Sequence, residues 1–243
     1  MKKKLIVIFI MVLFLFILGC QGKTDESRET EKKAEKTEKV DEKEKEEVYA
    51  KYRVNIYNDK NLTDWLATLA KGEKVELVEE ISHKKNNNKI NVAKIVRADG
   101  ETEGFLERRH LTGKPVVIVK DNLKLYEQPT ITSRVYARVT KGTVAFVQGK
   151  KDNWTKIYIG YIDDNGERKY IDGKWIKEGF SSDITLVQEG LVYDRATSML
   201  EDDKDANNEK AKDDLEELIK TESMYSELSK KTIMDFESEE MME

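Results

Sequence analysis

Cysteine and histidine are nearly missing from this chain of 243 residues, which has one Cys and two His. A single thiol, Cys20, excludes an internal disulfide. It also excludes a thiol peptidase or transpeptidase in the body of the chain, since such a site needs a free Cys beside a His. A zinc amidase or endopeptidase needs several His or Cys ligands. His83 and His110 stand about 27 residues apart without spaced partners. Neither is accompanied by a GxSxG-like turn, so a Ser-His-Asp arrangement has no foothold. His83 sits in a Lys/Asn loop and His110 follows Arg108-Arg109, and both read as solvated loop residues. Paired carboxylates survive a count, but no segment has room for a sugar cleft. No catalytic residue, metal or cofactor is therefore expected. A long apolar run is lacking too: Leu5 to Leu18 is short of the ~20 residues of a membrane span.

That run does have a use. Lys2-Lys3-Lys4 precede it and Gly19-Cys20 follow it, the pattern of a signal peptide over residues 1–19. An uncleaved anchor helix is the alternative. Ile17-Leu18-Gly19-Cys20 resembles a bacterial lipoprotein box, in which the cysteine is acylated and becomes the new N-terminus. Leu18 stands where a small residue is usual, as in the loose boxes of spirochaetal lipoproteins. The resemblance implies lipidation at Cys20 and a membrane partner through that lipid. No acid occurs before Asp25, and acids close behind the cysteine often act as retention signals in lipoproteins, so their absence favours the outer membrane. Residues 20–47 are dominated by Lys, Glu, Asp, Thr and Ser. They cannot bury enough apolar surface to offset ordering entropy, and read as a charged tether.

Beyond the tether one pattern occurs twice. Leu66 to Val78 (LATLAKGEKVELV) reads as two strands around a Lys71-Gly72 turn, with period-two alternation after it. Val135 to Val147 (VYARVTKGTVAFV) repeats it around Lys141-Gly142, one residue shorter. Trp154-Thr155-Lys156-Ile157 corresponds to Val92-Ala93-Lys94-Ile95, and Trp175-Ile176 to Phe105-Leu106. Ala98-Asp99-Gly100 and Asp163-Asp164-Asn165-Gly166 are hairpin turns. Two modules follow, at 48–112 and 115–180, joined by the short Gly113-Lys114-Pro115 junction. Each is small enough that a partly closed barrel of five or six strands is the economical way to bury a core. Trp65, Trp154 and Trp175 are expected in those cores.

The order of these motifs resembles the bacterial SH3-like domain family: a Leu/Val-x-Lys-Gly turn, a Trp-x-Lys-Ile strand, an Asp/Asn-Gly hairpin and a Trp-Ile closure. Val92 departs from it, standing where a tryptophan is usual. The resemblance implies a mainly β fold of two small SH3-like barrels in tandem. An α-helical, acidic tail at 181–243 follows, packed on the second module or projecting from it, in which Leu191, Arg195, Met199 and Leu200 mark one amphipathic segment and Ala211 to Leu228 a longer one. Asp203, Asp205, Asn207, Glu209 and Asp214 have the spacing of a calcium-binding EF-hand loop, but Asn208 replaces its glycine and Asp214 its glutamate.

Charge is polarised. Residues 48–180 carry a net of about +7 and residues 181–243 about −12. Basic clusters recur in loops at Lys84-Lys85, Arg108-Arg109 and Lys150-Lys151. They serve either solubility or attraction to polyanions and acidic proteins. Tyr126, Tyr158, Tyr161 and Tyr170 could line an exposed groove, because an amphipathic ring supplies contact area and a hydroxyl. Nucleic acid does not fit the compartment. In overall type the chain resembles spirochaetal surface lipoproteins, specifically the leptospiral endostatin-like family, whose members bind host matrix proteins and complement regulators. That resemblance implies a lipid-anchored, surface-exposed adhesin. A periplasm-facing peptidoglycan binder is the alternative, as is a scaffold that recruits a membrane complex through its acidic tail.

Overall fold

Glycines with positive φ set the corners of the fold. Gly72 (φ 75°) and Gly142 (φ 91°) each turn the chain between two strands in the left-handed region that a Cβ disfavours. Gly72 N–H donates to Ala50 O and Gly142 N–H to Ile118 O, both at 2.8 Å. The two copies thus make the same long-range bond.

The computed structural model describes residues 46–85, 88–162, 168–200 and 205–241. The expected signal peptide, Cys20, nearly all of the expected tether and the turn expected at 163–166 lie outside the described residues. The first repeat comprises β1 (Glu46–Ala50), β2 (Val54–Tyr57), β3 (Trp65–Leu69), β4 (Lys74–Lys85), β5 (Asn88–Arg97) and β6 (Glu103–Glu107). A 3₁₀ turn (Arg108–His110) and β7 (Leu111–Thr112) complete it. The second repeat runs β8 (Pro115–Ile118), β9 (Leu123–Tyr126), β10 (Val135–Val139), β11 (Val144–Lys151), β12 (Trp154–Ile162), β13 (Arg168–Ile176) and β14 (Phe180–Ser181). Three helices follow among the described residues: α1 (Ile184–Leu200), α2 (Asp205–Ile219) and α3 (Met224–Glu240).

Both sheets are antiparallel and share one wiring. The first is ordered β3-β2-β6-β5-β4-β1-β7 and the second β10-β9-β13-β12-β11-β8-β14. Each curls into a half-barrel. Seven strands replace the expected five or six because a two-residue strand closes each repeat on its first strand: β7 pairs with β1 and β14 with β8. The register supports the sequence correspondence residue by residue. Ala93 faces Leu106 and Lys94 faces Phe105, as Thr155 faces Ile176 and Lys156 faces Trp175. Each half-barrel has its own core. Ile56, Leu69, Ile95 and Leu106 fill the first, and Leu125, Ile157, Ile159 and Ile176 the second. At the junction Val147 N–H donates to Lys114 O at 3.0 Å. A Cβ on Gly113 would lie 2.2 Å from Val147 O, so the linker is pressed against β11.

The tail packs on the second sheet. Val117, Val144, Phe146 and Tyr158 point away from the second core and meet Val187, Ala196, Ala211, Leu215, Leu218 and Tyr225 of the helices. Strands β8 and β11 are therefore apolar on both faces, as strands covered on both sides must be. Asp183 caps α1, its Oδ1 accepting from Leu186 N–H at 2.9 Å. The longer helix expected across Ala211 to Leu228 is broken in two. Thr221 Oγ1 donates to Leu218 O at 2.8 Å, and Ser223 Oγ accepts from Tyr225 N–H at 3.1 Å, so these hydroxyls end one helix and start the next. Residues 205–214 are helical, so the EF-hand spacing does not form a loop there; Asp203 lies outside the described residues. Asp214 instead pairs with Arg195 at 2.8 Å, tying α2 to α1.

Candidate functional site

Lysines mark the tips of the long hairpins. In β4–β5, Lys84 lies directly opposite Lys89, and both are exposed. Like charges facing across a ladder are destabilising, so the fold gains nothing from this pair. The β11–β12 hairpin turns at Asp152 (φ 52°) and presents Lys150 and Lys151, also exposed. The side chain of Lys85 is outside the described residues. Lys84, Lys150 and Lys151 therefore occupy equivalent tips of the two repeats.

The arginines behave differently from those lysines. Arg108 is half-buried, its Nε bonded to Glu80 at 2.5 Å and its guanidinium 3.7 Å from Glu46. It also donates to Leu111 O at 3.3 Å. Arg108 is thus a fastener of the 3₁₀ turn, with its donors already engaged. Arg109 is 74% exposed and pairs with Glu107 at 2.7 Å.

The tyrosines whose side chains are described stand in different surroundings. Tyr158, a candidate for an exposed groove, is buried: it points from β12 into the helix-covered face and packs near Phe146 at 6.3 Å. Burial, then the charges of Tyr52, Asp172 and Tyr170, push its hydroxyl up to about 12. Lys51 of the first repeat lies over its ring at 5.0 Å. Tyr170 stacks on it at 6.4 Å and is 69% exposed. Tyr126 sets its ring against the edge of Trp154 at 5.2 Å on the outer face of the second sheet. The side chain of Tyr161 is outside the described residues. Trp154 is buried and Trp175 half-buried, but Trp65 is 61% exposed. It opens the edge strand β3, which has a neighbour, β2, on one side alone.

Sequence reading passed over a corner of the first repeat. Arg53, Asn55, Tyr57, Leu62, Glu107 and His110 line a cavity of about 370 Å³. His110 is no free loop residue: Nδ1 meets the Tyr52 hydroxyl, and the rings lie edge to face at 5.4 Å. Burial holds its pKa below the usual 6.5; Glu107 opposes this, while Arg109 and Lys51 reinforce it. Asp59 organises the loop beside it, accepting from the amides of Asn61, Thr63 and Asp64 at 2.6, 3.2 and 2.9 Å. Those bonds, Asp64's first, hold its carboxyl at about 2. The available signal was a mismatch between the repeats, Arg108-Arg109-His110 having no counterpart around Gly179.

Among the described residues no helix is long and apolar enough to cross a membrane. No curated protein matches the chain. A family model described as lipoprotein LenA matches residues 6–242. That span takes in both repeats and the helical tail, and the chain belongs to the lipoprotein LenA family.

Proposed function

We propose that this lipoprotein is a surface-exposed binding protein for host extracellular-matrix or complement-regulatory proteins, non-catalytic and anchored in the outer membrane through acylated Cys20. The two half-barrels act as a pair of SH3-like domains. Their shared strand order, and the placing of Trp154 and Trp175 on adjacent strands, support that assignment. Family membership supports the anchor.

The carrying observation is the pair of lysine-tipped hairpins. Lys84 and Lys89 oppose each other in one tip and Lys150-Lys151 stand in the other, at equivalent places of a duplicated fold. Charge concentrated at a tip is costly to the fold but attracts acidic partners and speeds encounter. Immobilised matrix protein or complement regulator, titrated with wild type and a Lys84→Ser, Lys150→Ser, Lys151→Ser variant over a salt series, tests the reading. Binding should weaken with salt, and the variant should lose both affinity and salt dependence. Equal binding by both proteins at every salt would reject the tips as the contact. Protease added to intact cells tests exposure: the half-barrels should be cut before the outer membrane is opened. Protection until opening, with retention on purified cell-wall sacculi, would instead support a peptidoglycan binder.

A further inference from the structure

The two repeats differ at one corner. Lys51 N–H donates to His110 O as Val119 N–H donates to Gly179 O, so His110 and Gly179 are equivalent places. In the second repeat the chain reaches Gly179 without a 3₁₀ turn. Gly179 has φ 85°, and Leu123 and Lys120 lie 3.0 and 3.2 Å from where its Cβ would stand. That corner is filled. In the first repeat the 3₁₀ turn and the loop at 58–64 stand apart, leaving the cavity of about 370 Å³. Both walls are fixed in advance, the turn by Arg108 on Glu80 and the loop by Asp59. This half-open, largely polar cleft falls at the small end of the size range of ligand sites.

The lining defines the ligand chemistry. Arg53 is exposed and presents an acid-binding guanidinium. The Asn55 oxygen already accepts from the Thr68 hydroxyl at 2.8 Å, which leaves its NH₂ as a donor to a ligand. With Nδ1 engaged by the Tyr52 hydroxyl, His110 has Nε2 left for a ligand hydroxyl. Glu107, held by Arg109, supplies acceptor oxygens. Tyr57 and Leu62 supply apolar surface. The geometry points to a binding site for an acidic sugar, a pyranose bearing one carboxylate, as at the end of a glycan chain. Its acid group pairs with Arg53 and its hydroxyls bridge Asn55, His110 and Glu107. An acidic peptide matches less well, since Glu107 opposes a second negative charge. The site uses none of the hairpin lysines and does not depend on their role.

Ligand-observed NMR and calorimetry on the full chain in detergent micelles test this. The probes are glucuronic acid, N-acetylneuraminic acid, neutral glucose and tetraglutamate. One of the two acidic sugars should bind at least about tenfold more tightly than glucose, the scale of one charge-assisted contact. Arg53→Ser should abolish that preference, and Asn55→Ala should weaken binding of acid and neutral sugar together. Both residues are exposed, so thermal melting should be unchanged. Lys150→Ser should bind like wild type. The proposal is overturned by no acidic-sugar binding at millimolar concentration, or by equal binding of glucose. It is also overturned by tetraglutamate binding as well as the sugar, or by an unaltered Arg53→Ser variant.

Discussion

Gly72 and Gly142 serve the turn and the helices at once. A Cβ at Gly72 would sit 2.5 Å from Leu191 Cδ1 of α1, and one at Gly142 would sit 2.6 Å from Leu228 Cδ1 of α3. Gly100 has a similar φ of 74° but open space around it. Comparing the substitutions separates the two costs. Gly100→Ala should lose only the left-handed penalty, about 1–2 kcal/mol. Gly142→Ala should lose clearly more in urea unfolding, because Leu228 must also move. Equal losses would mean that the contact carries no weight. His110 gives a second residue-scale prediction. Its folded pKa lies below 6.5, so the native state holds fewer protons than the unfolded one in that window. The contribution is complete above about 6.5 and is lost as pH falls through the folded value. An NMR titration of the His110 ring should show a midpoint under 6.5. A wild-type midpoint at or above 6.5 would contradict the burial argument.

At the scale of elements, α3 is held by one buried ring. Tyr225 is fully buried, and its hydroxyl donates to Gly142 O at 2.8 Å. Burial, ahead of the charges on Asp194 and Glu189, pushes that hydroxyl's pKa well above its usual range. Tyr225→Phe should cost about 1–3 kcal/mol, the penalty for stranding a buried carbonyl. Tyr225→Ala should cost about 3–5 kcal/mol through the cavity it leaves. Chemical denaturation of both variants checks the order. The repeat itself was legible, because Leu69-Ala70-Lys71-Gly72 and Val139-Thr140-Lys141-Gly142 share one turn motif and Trp175-Ile176 answers Phe105-Leu106. The amphipathic tail pattern left packing on the second repeat and projection from it both open, but a further sign of its placing stands in the sequence. Lys74-Val75-Glu76-Leu77 alternates, whereas Val144-Ala145-Phe146-Val147 does not, and unbroken apolarity means cover on both faces. Trp65 was misjudged because apolar type does not reveal an edge strand, and Tyr158 because a hydroxyl says nothing of which face a strand turns inward. The mismatch between the repeats around His110 marks the corner but not the cavity. It arises from the separation of two loops, which no local pattern encodes.

For the whole molecule the helices make two repeats into one object. α1 touches the first Lys-Gly turn, where Lys71 Nζ reaches Asp194 at 2.5 Å and Gly160 O of the second repeat at 3.2 Å. α3 touches the second turn. A chain ending after Ser182 would expose Val117, Val144, Phe146 and Tyr158. At about 1.5–3 kcal/mol for each buried side chain, that loss rivals the whole stability of a small domain, about 5–15 kcal/mol. The truncated protein should bind a hydrophobic dye and melt broadly, whereas the intact chain should give one calorimetric transition. Two resolved transitions in the intact chain would show that the repeats fold separately. The place of β1 carries a further consequence. It lies between β4 and β7, bonded to both, and it is the first strand after the tether. Force applied to the chain on the N-terminal side of β1 would load the molecule at that strand. Extracting it means breaking two ladders together, so such a pull meets the fold where it is doubly stitched.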